Sequence, residues 1–137
     1  MTDCPCGSAK PFATCCGRFL NGSEHAKTPE QLMRSRYTAY ALGGHGEYLL
    51  RTWFPVTARG LTAVDLSQKT LDWYRLEVLD KSQSGDNGEV EFRAHYREAD
   101  GAPGVMHERS TFKRNSGRWL YVGATVTRSP SASAPGR

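Results

Sequence analysis

The sequence lacks any apolar run long enough to cross a bilayer, and its start lacks the basic and apolar stretches of a secretory signal. It also lacks cysteine after residue 16, so all four cysteines fall within the first sixteen of 137 residues. These absences argue against a membrane protein and against a disulfide framework formed in an oxidising compartment. We therefore expect a cytoplasmic protein.

A strong excess of one charge is missing as well. Lys and Arg number 18 against 14 Asp and Glu, which gives a formal net charge of +4. Four thiolates and one divalent metal would subtract four and add two, leaving +2. The basic residues are scattered among acidic ones, so direct binding of nucleic acid is not expected. The length allows one ordinary domain and a small additional motif.

The cysteines follow the spacing C-x-C-x8-C-C, at Cys4, Cys6, Cys15 and Cys16. Zn²⁺ binds four soft or borderline ligands in a tetrahedron, and thiolates on two short turns can supply all four. The spacing therefore predicts a structural zinc site. Two disulfides and four free thiols are the alternatives, but neither closely spaced pair is well placed to bridge itself.

The stretch CPCGSAKPFATCCG, residues 4–17, resembles the SEC-C motif, the zinc knuckle at the C-terminus of the SecA translocation ATPase. The family pattern is CPCGSGKKYKxC followed by Cys or His. This sequence departs from it at Ala9, Pro11 and Phe12, none of which is a ligand position. The resemblance implies partner binding, because the similar knuckle of SecA contributes to contacts with partners.

Helical signals follow the knuckle. Thr28 as N-cap, Pro29 at the first helical position and Gln31 three residues after the cap predict a helix that ends at Leu42, before two glycines. Its predicted apolar face is formed by Leu32, Met33, Tyr37, Tyr40 and Ala41, and Arg36 falls on the same face. Further helical segments are predicted over residues 45–54 and 64–71.

Alternating patterns then predict four antiparallel strands, over residues 73–81, 89–98, 105–114 and 118–127. In the first of them Tyr74, Leu76 and Val78 are predicted to share one face. Helices before strands indicate the α+β class, a cone of N-terminal helices packed on a curved antiparallel sheet. We divide the chain into a zinc knuckle (1–22), an α+β domain (23–128) and a disordered tail (129–137).

The third predicted strand places polar side chains on its apolar face. Glu108 and Ser110 share this face with Met106 and Phe112, whereas His107 faces solvent. A buried carboxylate needs a partner, and Arg36 is the one we expect. If the pair lies at an exposed rim instead, it contributes under about 1 kcal/mol.

A second resemblance covers nearly the whole chain. The segments 31–37, 53–55 and 107–112, together with Trp119, resemble the YchJ family of bacterial proteins. This implies a nuclear-transport-factor-2-like cone with a pocket between sheet and helices. Many members carry a second knuckle after the cone, so a function that requires two is not expected here. The candidate pocket residues are Arg36, Tyr37, Tyr40, Trp53, Glu108 and Ser110.

Two functions are compatible with these patterns. The first is a zinc-binding adaptor or scaffold that contacts a protein or ribosomal partner through the knuckle. The second is a small-molecule-binding protein or proton-transfer enzyme that uses the pocket around Glu108 and Arg36. We assign no catalytic residue, because a neighbouring Arg36 would keep Glu108 ionised and make it a poor base. An open cavity would favour the second function, and the open sheet face suggests a homodimer.

Overall fold

A computed structural model describes residues 3–130, with the backbone alone for residues 128–130. Within these residues, four helices precede four strands, in the order predicted for the α+β class. The helices are α1 (Gly17–Leu20), α2 (Pro29–Leu42), α3 (Gly46–Arg51) and α4 (Ala63–Leu66). The strands are β1 (Asp72–Ser84), β2 (Asn87–Arg97), β3 (Pro103–Asn115) and β4 (Arg118–Pro130), which form one antiparallel sheet in chain order.

Helix α2 begins and ends where the sequence predicts. The Thr28 hydroxyl accepts a hydrogen bond from the Gln31 amide at 3.1 Å, and Pro29 occupies the first turn. After Leu42 the backbone of Gly43 has a φ of 74°, a conformation that favours glycine and ends the helix.

The single apolar face predicted for α2 does not account for all of its buried residues. Ser35 and Thr38 are completely buried, although neither belongs to that face. At 3.6 residues per turn, three sides of the helix are covered, by the sheet, by the knuckle and by α3. Ser35 turns towards α3, where its Oγ lies 2.6 Å from Tyr48 Oη. A single apolar stripe could not reveal this, because polar side chains line two of the three contacts.

Strand β1 contains two register shifts, between Trp73 and Arg75 and between Val78 and Asp80. Because of the first shift, Tyr74 does not share the face of Leu76 and Val78 as predicted: its side chain is 46% exposed, whereas theirs pack against the core. Trp73 pairs with Tyr96 on the inner side of the sheet, and the two rings are 5.1 Å apart. A one-residue bulge exchanges the two faces of a strand, so simple alternation fails there.

The element bounds differ modestly from prediction. The helices after α2 are shorter than predicted, and each strand extends one or more residues beyond at least one predicted end. Strand β4 continues to Pro130, three residues past the predicted end at Thr127 and into the predicted tail. The rest of that tail, residues 131–137, lies outside the described residues. Within residues 3–130, no helix combines the length and apolarity needed to span a membrane.

Candidate metal centre and candidate ligand pocket

The four cysteine sulfurs converge at one point. Their Sγ atoms all lie within 4.8 Å of one another, and all four side chains are buried. The cysteines are free, and Cys6 Sγ lies 3.7 Å from Cys15 Sγ. A tetrahedral Zn²⁺ with Zn–S bonds of about 2.3 Å places its sulfurs about 3.8 Å apart. The donor set and its spacing therefore fit one zinc ion.

Local backbone turns bring the sulfurs together. Cys4 N donates to Lys10 O at 2.8 Å, and Gly7 N donates to Cys4 O at 3.2 Å. Gly7 has a φ of 82° and Ala9 a φ of 64°, so the loop passes twice through the left-handed region. A 3-10 turn over Phe12–Thr14 then presents Cys15 and Cys16 at the start of α1.

The thiols compete for protons. Hydrogen bonds, with that to Cys16 first, lower the pKa of Cys6 to about 4. The same contact and burial raise the pKa of Cys16, and burial raises that of Cys15. One thiolate is therefore favoured while negative charge on its neighbours is penalised. A divalent cation would remove this conflict, and its binding would release protons.

The knuckle is docked on the cone. Arg34 Nη1 donates to Cys6 O at 2.7 Å, and Arg34 Nε donates to Glu30 at 2.9 Å. Lys81 of β1 reaches the same carboxylate at 2.6 Å. Thr38 Oγ1 lies 3.9 Å from Cys4 Sγ, and Leu76 packs against the cysteine cluster. Sequence reasoning missed Arg34 and Thr38, because their relation to the knuckle depends on how α2 packs.

A cavity of about 280 Å³ lies between α2 and the sheet. All six predicted pocket residues line it: Arg36, Tyr37, Tyr40, Trp53, Glu108 and Ser110. Its other lining residues, which were not among the predicted pocket residues, are Met33, Trp73, Phe92, Ala94, Met106, Tyr121 and Val126. The cone is therefore open at this point and is not filled by its own side chains.

Arg36 is buried in the cavity wall, but its contacts differ from those predicted. Nη1 donates to Leu49 O and to Thr52 Oγ1, each at 2.7 Å. The guanidinium also stacks on the rings of Trp53 and Tyr121, with its carbon 4.8 and 4.6 Å from their centroids.

The predicted direct ion pair of Arg36 with Glu108 is not among the ion pairs within 4.0 Å that the described residues make. The reason is positional: carbonyl and hydroxyl groups at the end of α3 draw Arg36 towards the helices. Burial lowers the pKa of Arg36, and the charge of Glu108 acts in the opposite direction.

Glu108 lies on the inner face of β3 and is only 9% exposed. The Ser110 hydroxyl donates to its carboxylate. Burial, followed by the charge of Glu108, raises the pKa of Tyr121 on β4. On the other face of β3, the half-exposed His107 Nε2 lies 2.6 Å from Glu91, as expected for a solvent-facing residue.

Tyr121 is the most important pocket residue that the sequence did not reveal. A register shift between Thr111 and Phe112 pairs Phe112 with Tyr121, which turns the tyrosine into the cone. Backbone hydrogen bonds then join Tyr121 to the segment after α3: its N donates to Thr52 O, and Phe54 N donates to its carbonyl. This pairing also carries Trp53 to the cavity, with the two rings 5.0 Å apart.

Comparison with known proteins supports both halves of this description. The model of the middle, NTF2-like domain of YchJ matches residues 28–124, and the SEC-C motif matches residues 3–18. The chain belongs to the YchJ family. Both resemblances found in the sequence are thereby confirmed.

Individual relatives and one solved structure also match most of the chain. A UPF0225 protein of Corynebacterium efficiens is 43% identical over 121 residues, covering 86% of this chain and 88% of the relative. A UPF0225 protein of Deinococcus radiodurans is also 43% identical, covering 88% and 87%. The solution structure of a SEC-C motif-containing protein from Rhodopseudomonas palustris superposes with a TM-score of 0.83 at 36% identity, covering 90% of this chain and 98% of that one.

Proposed function

We propose that this protein is a zinc-binding adaptor that presents its knuckle to a protein partner, either free or on the ribosome. The observation that carries this proposal is the contrast between the two sides of the knuckle. The four sulfurs are buried, whereas Ala9, Lys10, Ala13 and Thr14 are exposed.

A zinc ion held by four thiolates has no open position for a substrate, so its role would be to fix the backbone around it. Here that backbone is the exposed loop between the two cysteine pairs. A loop fixed in advance loses little conformational entropy when it binds. The inner side of the knuckle is already occupied by Arg34 and Thr38, so a partner would contact the outer side.

The test is affinity capture from a bacterial lysate with three baits of equal concentration. These are the zinc-loaded protein, the chelated protein and a zinc-loaded Lys10→Glu, Thr14→Arg variant. Because both substituted side chains are exposed, the variant should retain its zinc, which elemental analysis would verify. The proposal expects one protein to be captured only by the zinc-loaded unsubstituted bait. Identical capture by all three baits would contradict it.

A second candidate function is favoured by the open cavity, which would bind a small molecule between α2 and the sheet. Its polar groups, Arg36, Glu108 and Ser110, lie together in a wall that is otherwise largely aromatic and apolar. Proton transfer by Glu108 is the enzymatic form of this candidate. The cavity and the knuckle lie on different sides of α2, so the two functions do not exclude each other.

A further inference from the structure

We propose that the cavity binds a small, planar, uncharged heteroaromatic molecule that carries a hydrogen-bond acceptor beside a donor, as a cyclic amide does. The ring would lie among the aromatic side chains, and its polar edge would face Arg36 and Glu108. This inference rests on the second candidate function and specifies its ligand class.

The size of the cavity suits a small ligand. At roughly 30 Å³ per water molecule in the liquid, 280 Å³ corresponds to the volume of about nine water molecules. A bicyclic heteroaromatic compound is of this size. Larger cofactors such as dinucleotides are too big for the cavity as it stands.

The shape and chemistry of the wall favour a flat ring. Trp53 and Tyr121 meet edge to face, and Trp73, Phe92 and Tyr40 contribute further aromatic surface. Such side chains offer ring faces and edges to another aromatic molecule at little entropic cost. Because most of this wall is apolar, the ligand needs few polar groups.

The polar end of the cavity selects against a charged ligand. Arg36 is a permanent cation and Glu108 an acceptor when ionised, and both line the same space. An anion would meet the Glu108 carboxylate, and a cation would meet the Arg36 guanidinium. A neutral group with an acceptor and an adjacent donor satisfies both, because each charged partner then forms a charge-assisted hydrogen bond.

Both protein groups have hydrogen-bonding capacity for this role. Nη1 of Arg36 is committed to Leu49 O and Thr52 Oγ1, which leaves Nε and Nη2 for groups in the cavity, the Tyr40 hydroxyl among them. The Glu108 carboxylate, which accepts from Ser110, offers about four acceptor positions in all.

The test uses four bicyclic aromatic probes: quinolin-2(1H)-one, quinoline, 1-naphthoate and N-methylquinolinium. They present, in turn, a donor beside an acceptor, an acceptor alone, a negative charge and a positive charge. Binding to the zinc-loaded protein is measured by tryptophan fluorescence and by the Trp53 indole NMR signal. We expect quinolin-2(1H)-one to bind at least about tenfold more tightly than the other three, the effect of one well-formed hydrogen bond.

Two variants locate the binding. Val126 lines the cavity and is 46% exposed, so Val126→Trp should narrow the entrance without disturbing the core and should abolish binding, while Val126→Thr should not. Glu108→Gln replaces an acceptor by a group that both donates and accepts, so the preference for quinolin-2(1H)-one over quinoline should fall.

The negative outcomes distinguish a wrong ligand class from a wrong small-molecule function. Equal binding of all four probes, or preference for 1-naphthoate or N-methylquinolinium, with loss in Val126→Trp, would overturn the ligand class and leave the small-molecule function standing. Absence of binding by every probe would overturn both. Binding that Val126→Trp leaves unchanged would also overturn both, because it would lie outside the cavity.

Discussion

The knuckle and the cavity of the cone both bury polar groups, but they hold them in different ways. The sulfurs of Cys4, Cys6, Cys15 and Cys16 come from one short stretch and pack with little besides Phe12 and Leu76. Arg36 and Glu108 are 72 positions apart and lie beside an extensive apolar core. The knuckle would therefore depend on its metal for order, whereas the cavity depends on packing.

The largest expected effect is loss of the knuckle on removal of the metal. Cys6→Ser, or chelation, should reduce bound zinc from one equivalent to near zero. Order in residues 3–18 should be lost, because the local apolar core is too small to replace the coordination bonds. At free zinc about 1,000-fold above Kd, the ion contributes about 4 kcal/mol. Differential scanning calorimetry with elemental analysis would measure this.

The cone of the same sample is the internal control for metal removal. NMR signals of Trp53 and Tyr121 should persist without metal, because the core on that side of α2 does not include the cysteines. Simultaneous loss of these signals would mean instead that the two regions fold as one unit and that both depend on the metal.

The next effect concerns the cavity wall. Arg36→Met removes two buried hydrogen bonds, to Leu49 O and Thr52 Oγ1, and the stacking on Trp53 and Tyr121. It also removes the positive charge near Glu108. We expect the free energy of unfolding to fall by about 3 kcal/mol, because a hydrogen bond to a charged group contributes about 1.5–3 kcal/mol. Urea denaturation of the zinc-loaded protein would measure it.

The control for this variant is Arg34→Met on the knuckle side of α2, where the side chain is partly exposed. It should cost less stability but weaken zinc retention, because the contact with Cys6 O is lost. Equal effects of the two substitutions on both quantities would remove the distinction between the two sides.

A smaller effect is expected at Ala9, whose backbone has a φ of 64°. An alanine in the left-handed conformation costs about 1 kcal/mol relative to glycine, so Ala9→Gly should stabilise the zinc-loaded knuckle by about this amount. Hydrogen exchange of the knuckle amides would report it. Ala13→Gly is the matched control, since Ala13 lies in the 3-10 turn without a positive φ and should gain nothing.

The smallest effect is a pH dependence at the joint between the two regions. Hydrogen bonds from Lys81 and then Arg34 lower the pKa of Glu30 below its usual value of 4.5. A lowered folded-state pKa contributes stability above pH 4.5, and this contribution is lost as the pH falls through the folded value.

Glu30→Gln should therefore cost about 0.5–1 kcal/mol at pH 7, with a difference from the unsubstituted protein that shrinks below pH 4.5. Comparing the two proteins at each pH cancels the acid release of metal common to both. A difference that stays constant from pH 7 to pH 3 would show that Glu30 acts by packing alone.

Short-range sequence patterns predicted most of the helices and strands. The cap at Thr28, the end at Gly43 and the alternating strands depend on neighbours a few residues apart, so they can be read without the fold. The bulges that turn Tyr74 outward and Tyr121 inward could not be read in this way. A bulge depends on how the whole strand pairs and packs, and not on the residues next to it alone.

The sequence by itself determined the cysteine cluster, the α+β order and the family, because each follows from short-range spacing or direct resemblance. Only the tertiary structure decided that Arg36 turns towards Leu49 and Thr52, that Arg34 supports the knuckle, and that an open cavity remains. These features join residues far apart in the chain. Their geometry is set by the packing of α2 against three different surfaces, which no local pattern encodes.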